Sequence, residues 1–229
     1  MRSALRLFPA FALGAAMLGG TMATDTARAE EARIIPAPKL KASETEKVRV
    51  AIFAGGCFWG VEGVYSHVKG VKEAVSGYHG GKRADADYDK VSAGRTRHAE
   101  AVRIVYDPSV VSYDRLLQIF FSVVADPTQL NRQGPDRGSQ YRSAIIPMNK
   151  QQAEVARAYI EQLDKAKSWN KPIVTAVESY SGFYAAERYH QDFMKKNPTH
   201  PYIVRWDQAK VDNLARIFPS SYLKSWTAD

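Results

Sequence analysis

The apolar residues of the chain fall into runs of two different periods, and read in order they predict an alternation of strands and helices. Residues 48–54 (Val-Arg-Val-Ala-Ile-Phe-Ala) form a β-branched, apolar run suited to a buried strand, and Gly55-Gly56 ends it. From Phe58 onward Val61, Val64, Tyr65 and Val68 recur at helical spacing, which predicts a helix over 57–68 closed by Gly70. An extended run over 71–78 stops at Gly80-Gly81, a polar loop covers 82–96, and residues 98–106 alternate from side to side until Asp107-Pro108. Ser112 is placed to N-cap a helix reaching Val124, with Leu116, Leu117, Phe120 and Phe121 on one face. A loop over 126–138, a short strand over 141–146, a long helix over 149–167 and a strand over 172–178 follow. Shorter helices are expected over 185–195 and 207–218. The order β-α-β-β-α-β is the split βαβ pattern. The predicted fold is therefore α+β, a two-layer α/β sandwich on a ferredoxin-like core with C-terminal helices and a loop-rich tail.

The first 29 residues stand apart from this pattern. Arg2 and Arg6 flank the start of an apolar stretch over 5–18, and Ala27-Arg28-Ala29 follows it, as in a secretory signal peptide cleaved after Ala29. Pro9 and several glycines interrupt the stretch, which falls short of the roughly 20 apolar residues of a membrane span. These features predict export to a bacterial periplasm, a polar linker over 30–46, one folded domain over 47–222 and a tail over 223–229. With 45% apolar and 24% charged residues the composition is that of a globular domain. The net charge is +8, but the basic residues form no run or repeat, so nucleic acid is not an expected partner.

Cys57 is the only cysteine. In an oxidising compartment an unpaired cysteine is either a reactive thiol or a small buried hydrophobe. Its place between Gly55-Gly56 and the predicted helix favours reactivity, because unpaired N–H groups and the helix dipole at that end stabilise a thiolate. A dinucleotide-binding turn is excluded, since Cys57 or Phe58 occupies the second glycine position of G-x-G-x-x-G in either register.

Four stretches then converge on one family. Gly-Cys-Phe-Trp-Gly at 56–60, Gly-Tyr-His-Gly-Gly at 77–81, His-Ala-Glu at 98–100 and Asp-Arg-Gly-Ser-Gln-Tyr-Arg-Ser at 136–143 resemble, in order and spacing, the peptide-methionine (S)-S-oxide reductases, the A-type methionine sulfoxide reductases. Tyr189-His190-Gln191 and Asn197-Pro198 also resemble that family, and the likeness spans residues 47–222. It implies an α/β sandwich on a split βαβ core and reduction of methionine S-sulfoxide, free or in proteins, without metal or tightly bound cofactor. It implies Cys57 as the nucleophile that becomes a sulfenic acid, Glu100 as the acid, and Tyr78 and Tyr141 as hydroxyl donors to the sulfoxide oxygen. Phe58 and Trp59 would form an apolar wall for the S-methyl group, and Asp136 and His190 would lie near the substrate. The chemistry requires a proton on Glu100 near neutral pH, so its pKa must be raised, and the acid and the thiol should titrate as a coupled pair.

The chain departs from the commoner pattern in one respect. Many members carry further cysteines near the C-terminus that attack the sulfenic acid, whereas residues 197–229 contain none, and Ser92 and Ala93 occupy a loop where some members have a thiol. An external reductant is therefore expected: a thioredoxin-like domain, glutathione or a small dithiol. The protein is expected to be monomeric. Two other classes compete. A papain-like thiol protease would pair Cys57 with His190, with Asn213 beyond, but its Cys-Gly-x-Cys-Trp signature is missing. A non-enzymatic basic surface-binding domain would leave Cys57 buried and inert. The five histidines are scattered, which argues against a metal site.

Overall fold

The computed structural model describes residues 32–227, so the segment read as a signal peptide lies outside the described residues. The first predicted strand forms β1, Arg49–Gly55. It leads through Gly56 and Cys57 into α1, Phe58–Ser66, and then β2, Val71–His79. The strand β3, Ala99–Tyr106, inserts between β1 and β2 and runs antiparallel to both. Ser112 caps α3, Tyr113–Ile119, accepting from the Arg115 N–H, and a π-helical turn, Phe120–Val124, continues it. Between β2 and β3, within the predicted loop 82–96, lies the short helix α2, Tyr88–Ser92, capped by the Asp87 side chain.

After α3 a two-stranded hairpin, β4 (Arg132–Gln133) and β5 (Asp136–Arg137), occupies the predicted loop. β6, Ser143–Ile146, then pairs antiparallel with the outer side of β1. The order of these core strands across the sheet, β6-β1-β3-β2, is that of the ferredoxin-like pattern. Helix α4, Lys150–Lys165, capped by Asn149, leads to β7, Ala176–Val177, which joins β6 in parallel and makes the sheet mixed. β8, Phe183–Ala185, closes the other edge beside β2. The helix predicted over 185–195 is replaced by this strand end and by one turn, α5, Phe193–Lys196. Gln191 explains the change, because its amide bonds the Ser76 backbone at both N–H and C=O and holds the segment against β2 rather than in a helix. A second π-helical turn, Ile203–Asp207, and α6, Gln208–Ile217, complete the chain.

Alternation along the strands divides the core between the two faces of the sheet. Ala51, Phe53, Val102, Ile104 and Ile145 join the large cluster with the helices, while Ile52, Ala54, Ala99, Ala101, Ala144 and Ile146 form a smaller one. At the centre of the large cluster the Phe53 ring meets Phe120 at 5.3 Å, Tyr65 at 5.6 Å and Tyr113 at 6.1 Å.

The segment expected to be a linker is sewn to the domain along its described length. Ile35 is fully buried, its carbonyl accepts from Gln118, and the Pro36 carbonyl accepts from the Tyr159 hydroxyl. Gln162 bonds both the Ala37 carbonyl and the Lys39 N–H, and Glu44 accepts from the Tyr113 N–H and the Tyr106 hydroxyl. The tail is fixed as well, with Leu223 bonded to the His67 carbonyl and the Trp226 ring 4.3 Å from that of His67. No helix among the described residues is long and apolar enough to cross a membrane. Because Phe53 joins β1 to both α1 and α3, Phe53→Ala should cost about 3–5 kcal/mol, read as a lower denaturant midpoint.

Candidate active site

The turn from β1 to α1 brings the chemistry together. Gly56 has a φ of +88°, and a Cβ on it would fall 2.5 Å from that of Gln133, so only glycine serves there. Gln133 in turn bonds both the N–H and C=O of Asp126, which fixes the hairpin loop against the turn. Cys57 follows as the N-cap of α1 and is 9% exposed. The first helical N–H, that of Phe58, donates to Glu100 Oε2 at 3.0 Å. Glu100 reaches it from β3, where it lies across from Tyr78 of β2 on the helix-facing side.

Electrostatics in this pocket is governed by burial. Desolvation pushes the Glu100 carboxyl up to about 8 against the pull of the Phe58 N–H, with Asp136 and Asp207 adding to the rise. Burial likewise pushes the Cys57 thiol well above its ordinary value, with further upward contributions from Glu100, Asp207 and Asp136. The Trp59 N–H pulls the other way and is outweighed. The helix end does pull toward the thiolate, but burial and the neighbouring Glu100 outweigh it, so the thiol rises together with the acid to which it is coupled. A helix end is worth at most about 2 kcal/mol to an anion, less than removing a thiolate from water costs.

Tyr78 and Tyr141 are not placed alike. The Tyr78 hydroxyl donates to Glu187 Oε2 at 2.8 Å, so this group is already engaged. Glu187 Oε1 accepts the backbone N–H of Tyr88 at 2.9 Å, which anchors the start of α2 and sets Tyr88 beside the site. The Tyr88 hydroxyl is pushed up to about 12 by burial and then by Glu100 and Cys57. The Tyr141 hydroxyl, on the turn Ser139–Tyr141, is raised by burial, Glu100, Asp136 and Cys57, and also feels Tyr88. Tyr88 and Tyr141 therefore lie within electrostatic reach of both the thiol and the acid, and among the described residues neither hydroxyl is held by a carboxylate as that of Tyr78 is. The sequence reading missed Tyr88, whose only signal was an aromatic residue in a polar loop one position after the N-capping Asp87.

Phe58 is fully buried, with ring contacts to Tyr78 at 5.9 Å and His190 at 5.1 Å. Trp59 is half-buried. Phe193 stacks on one of its faces at 3.7 Å, and the rings of Tyr202 and His200 meet it edgewise, so its remaining surface is what can line the site. The Trp59 indole N–H donates to His190 Nδ1 at 3.0 Å, and burial holds the imidazole below its usual pKa, so it stays neutral. His190 is thereby placed as a support for Trp59. No hydrogen bond joins it to Cys57, and Asn213 pairs with Arg216, so the protease arrangement is not formed. Asp136, half-buried on β5, accepts from the Tyr202 hydroxyl.

The remaining motif residues lock this frame. His98 accepts the Gly81 N–H at Nδ1 and meets the Lys82 carbonyl at Nε2, and a Cβ on Gly81 would strike the imidazole at 2.4 Å. Arg142 forms a bidentate pair with Glu178 at 2.7 and 3.0 Å, and His79 Nε2 lies 3.6 Å from the same carboxylate.

Residues 49–221 match the family model described as peptide methionine sulfoxide reductase. The chain belongs to that family. A peptide methionine sulfoxide reductase MsrA 2 of Mesorhizobium japonicum is 60% identical over 172 residues, covering 75% of this chain and 88% of the relative. One of the same name from Synechocystis is 53% identical over 167 residues, 73% of this chain and 77% of the relative. Among solved structures, reduced Mxr1 from Saccharomyces cerevisiae superposes with a TM-score of 0.60 at 32% identity, covering 71% of this chain and 92% of that one. Methionine sulfoxide reductase A of Corynebacterium diphtheriae gives 0.58 at 30% identity, with 77% and 91% covered. The α+β reading and the family resemblance both hold.

The raised pKa of this reductase's Glu100 has a consequence for stability. The folded chain keeps the proton up to about pH 8, whereas the unfolded carboxyl releases it near 4.5. The folded state thus holds more protons across that window, and stability falls as pH rises through it. Glu100→Gln should remove that loss, gaining on the order of a few kcal/mol over wild type between pH 5 and pH 8.5 in urea unfolding.

Proposed function

We propose that this reductase converts methionine S-sulfoxide, free or in proteins, to methionine through a Cys57 sulfenic acid that an external thiol resolves. The observation that carries the reading is the juxtaposition of a buried thiol and a buried acid at one helix end, joined through Phe58 N–H, in a chain with no second cysteine. A sulfoxide sulfur becomes electrophilic when its oxygen is protonated. Glu100 supplies that proton, and the hydroxyls of Tyr88 and Tyr141 donate to the oxygen as negative charge develops on it. Tyr88 takes the part expected of Tyr78, whose hydroxyl is held by Glu187.

As Glu100 gives its proton to the sulfoxide oxygen it takes the Cys57 thiol proton in exchange, and Cys57 Sγ attacks the substrate sulfur. The S–O bond breaks as the hydroxyl passes to Cys57 Sγ, and the transient S–S bond breaks with its electron pair left on the substrate sulfur. The substrate sulfur is reduced by two electrons and Cys57 is oxidised by two, giving methionine and Cys57–SOH. A first external thiol condenses with the sulfenic acid, releasing water and leaving a mixed disulfide. A second displaces Cys57 as a free thiol. Phe58 and the free part of Trp59 offer an apolar, aromatic surface to the S-methyl group. The Asp136–Tyr202 pair borders the substrate backbone. The N-terminal pattern over 1–29 supports export, where a thioredoxin-like domain, glutathione or a small dithiol would act on a monomeric enzyme.

Two measurements test the reading. With stoichiometric sulfoxide and no reductant, the enzyme should release one methionine per chain and leave Cys57 reactive with dimedone, the S epimer alone should be consumed, and full activity in Cys57→Ser would sink the mechanism. Steady-state kinetics with dithiothreitol should show kcat reduced about 100-fold in Tyr88→Phe and in Tyr141→Phe, the loss typical of one oxyanion donor, and far less in Tyr78→Phe.

A further inference from the structure

Beside the first turn of α1 lies a carboxyl that the chemistry above leaves unused. Asp207 ends the turn Ile203–Asp207 and stands at the N-cap position of α6 without a side-chain capping bond, and it is 0% exposed. Lys210, one turn on, places Nζ 3.3 Å from Oδ1 as an ion pair, yet neither Asp207 oxygen accepts a well-aligned hydrogen bond. Burying a carboxyl that lacks well-aligned hydrogen bonds costs the fold stability. Gly60 makes the room. A Cβ on Gly60 would fall 2.1 Å from Oδ1 and 3.2 Å from Oδ2, so the carboxyl presses on the helix backbone three residues from Cys57.

We propose that Asp207 is a positioning residue of the reductase reaction: lodged against Gly60 in the first turn of α1, it withholds the Cys57 thiolate and keeps the proton on Glu100 until substrate arrives. This rests on the roles given above to Cys57 and Glu100. The groups that act on the thiol come from every side: Glu100 from β3, Asp136 from β5 and Asp207 from the start of α6, with the hydroxyls of Tyr88, Tyr141 and Tyr202 around them. Lys210 is the cation that faces both Asp207 and Asp136. In a dry site these anions oppose one another. Burial raises the Asp207 carboxyl as well, and the ion pair with Lys210 pulls against that rise; held as the anion by Lys210, Asp207 pushes both Cys57 and Glu100 upward, toward the protonated form. A thiol held in that form resists direct oxidation, which proceeds through the thiolate. Substrate binding then brings a polar S–O group to the acid and consumes the proton that Asp207 helped to retain.

The test is the rate of Cys57 alkylation by iodoacetamide as a function of pH, which reports on one site because the chain has one cysteine. Asp207→Asn should move the profile to lower pH by about one unit, equivalent to about tenfold faster alkylation on its rising limb. The alkaline limb of the kcat profile should move the same way, since Glu100 loses its proton earlier. Asp207→Leu, which removes the carboxyl altogether, should give the same shift, and the exposed control Asp212→Asn should superimpose on wild type. A structural role predicts instead a lower Tm with an unmoved profile. That result in both Asp207 variants, or a shift to higher pH, would overturn the proposal. Alkylation requires no sulfoxide chemistry, so a shifted profile in an enzyme that fails to reduce either epimer would refute the proposed function while leaving the hold of Asp207 on the thiol intact.

Discussion

One hydrogen bond organises the reactive end of the molecule: the Phe58 N–H to the Glu100 carboxyl, at 3.0 Å. It caps α1 with a side chain from β3, so the helix, the turn that carries Cys57 and the central strand are set by a single contact. It also decides how the helix end is used. The first N–H of α1 goes to the acid, and the thiol beside it receives only the weaker help of the Trp59 N–H. Burial exceeds both effects and leaves acid and thiol protonated. The site is therefore poised as a proton donor and a latent nucleophile, and the two must change state together.

Around that contact, glycines let other groups approach the backbone, and distant side chains fill the space. Gly56 admits Gln133, Gly81 admits the His98 ring and Gly60 admits Asp207, in each case where a Cβ would come within 2.6 Å of a neighbouring atom. Glu187 works on the same principle from the other side, taking the Tyr78 hydroxyl with one oxygen and the Tyr88 backbone with the other. The stretches 56–60, 77–81 and 98–100 thus each supply one half of an interlocking pair.

This explains what was legible in the sequence. The strands β1, β2 and β3 and the helices α1, α3 and α4 follow from local period and capping, and Ser112 and Gly55-Gly56 mark their boundaries. The family resemblance also implied a site holding Cys57, Glu100 and Tyr141, and the structure sets the Glu100 carboxyl on the Phe58 N–H next to Cys57. What stayed hidden depended on partners far along the chain. Tyr78 lies across from Glu100 as the strand pattern requires, but its hydroxyl turns to Glu187, 109 residues later. Tyr88 sits on a five-residue helix with Val91 as its only buried residue, too little for a periodicity to show. Asp207 reads as one more charge at a helix start, and only tertiary packing buries it. The extent of the thiol's desolvation was hidden for the same reason, since the helix end is a local feature and burial is not.

The lone cysteine gives the C-terminal region a different duty from resolving the sulfenic acid. A disulfide needs the two Cα atoms within about 7 Å, so a resolving cysteine on this tail would have to travel to Cys57 and back in each cycle. Here the tail is held on several sides. Tyr202 bonds Asp136, Phe193 stacks on Trp59, Asp207 rests against Gly60, and Leu223 bonds the end of α1. A segment anchored in this way serves as a wall that shapes the pocket and sets its charge, and it could not also swing as a thiol arm without dismantling that wall. On the proposed mechanism the second half of the cycle then falls to a thiol from outside, which must reach Cys57 past the half-buried Tyr88, Tyr141 and Trp59 as the sulfoxide does.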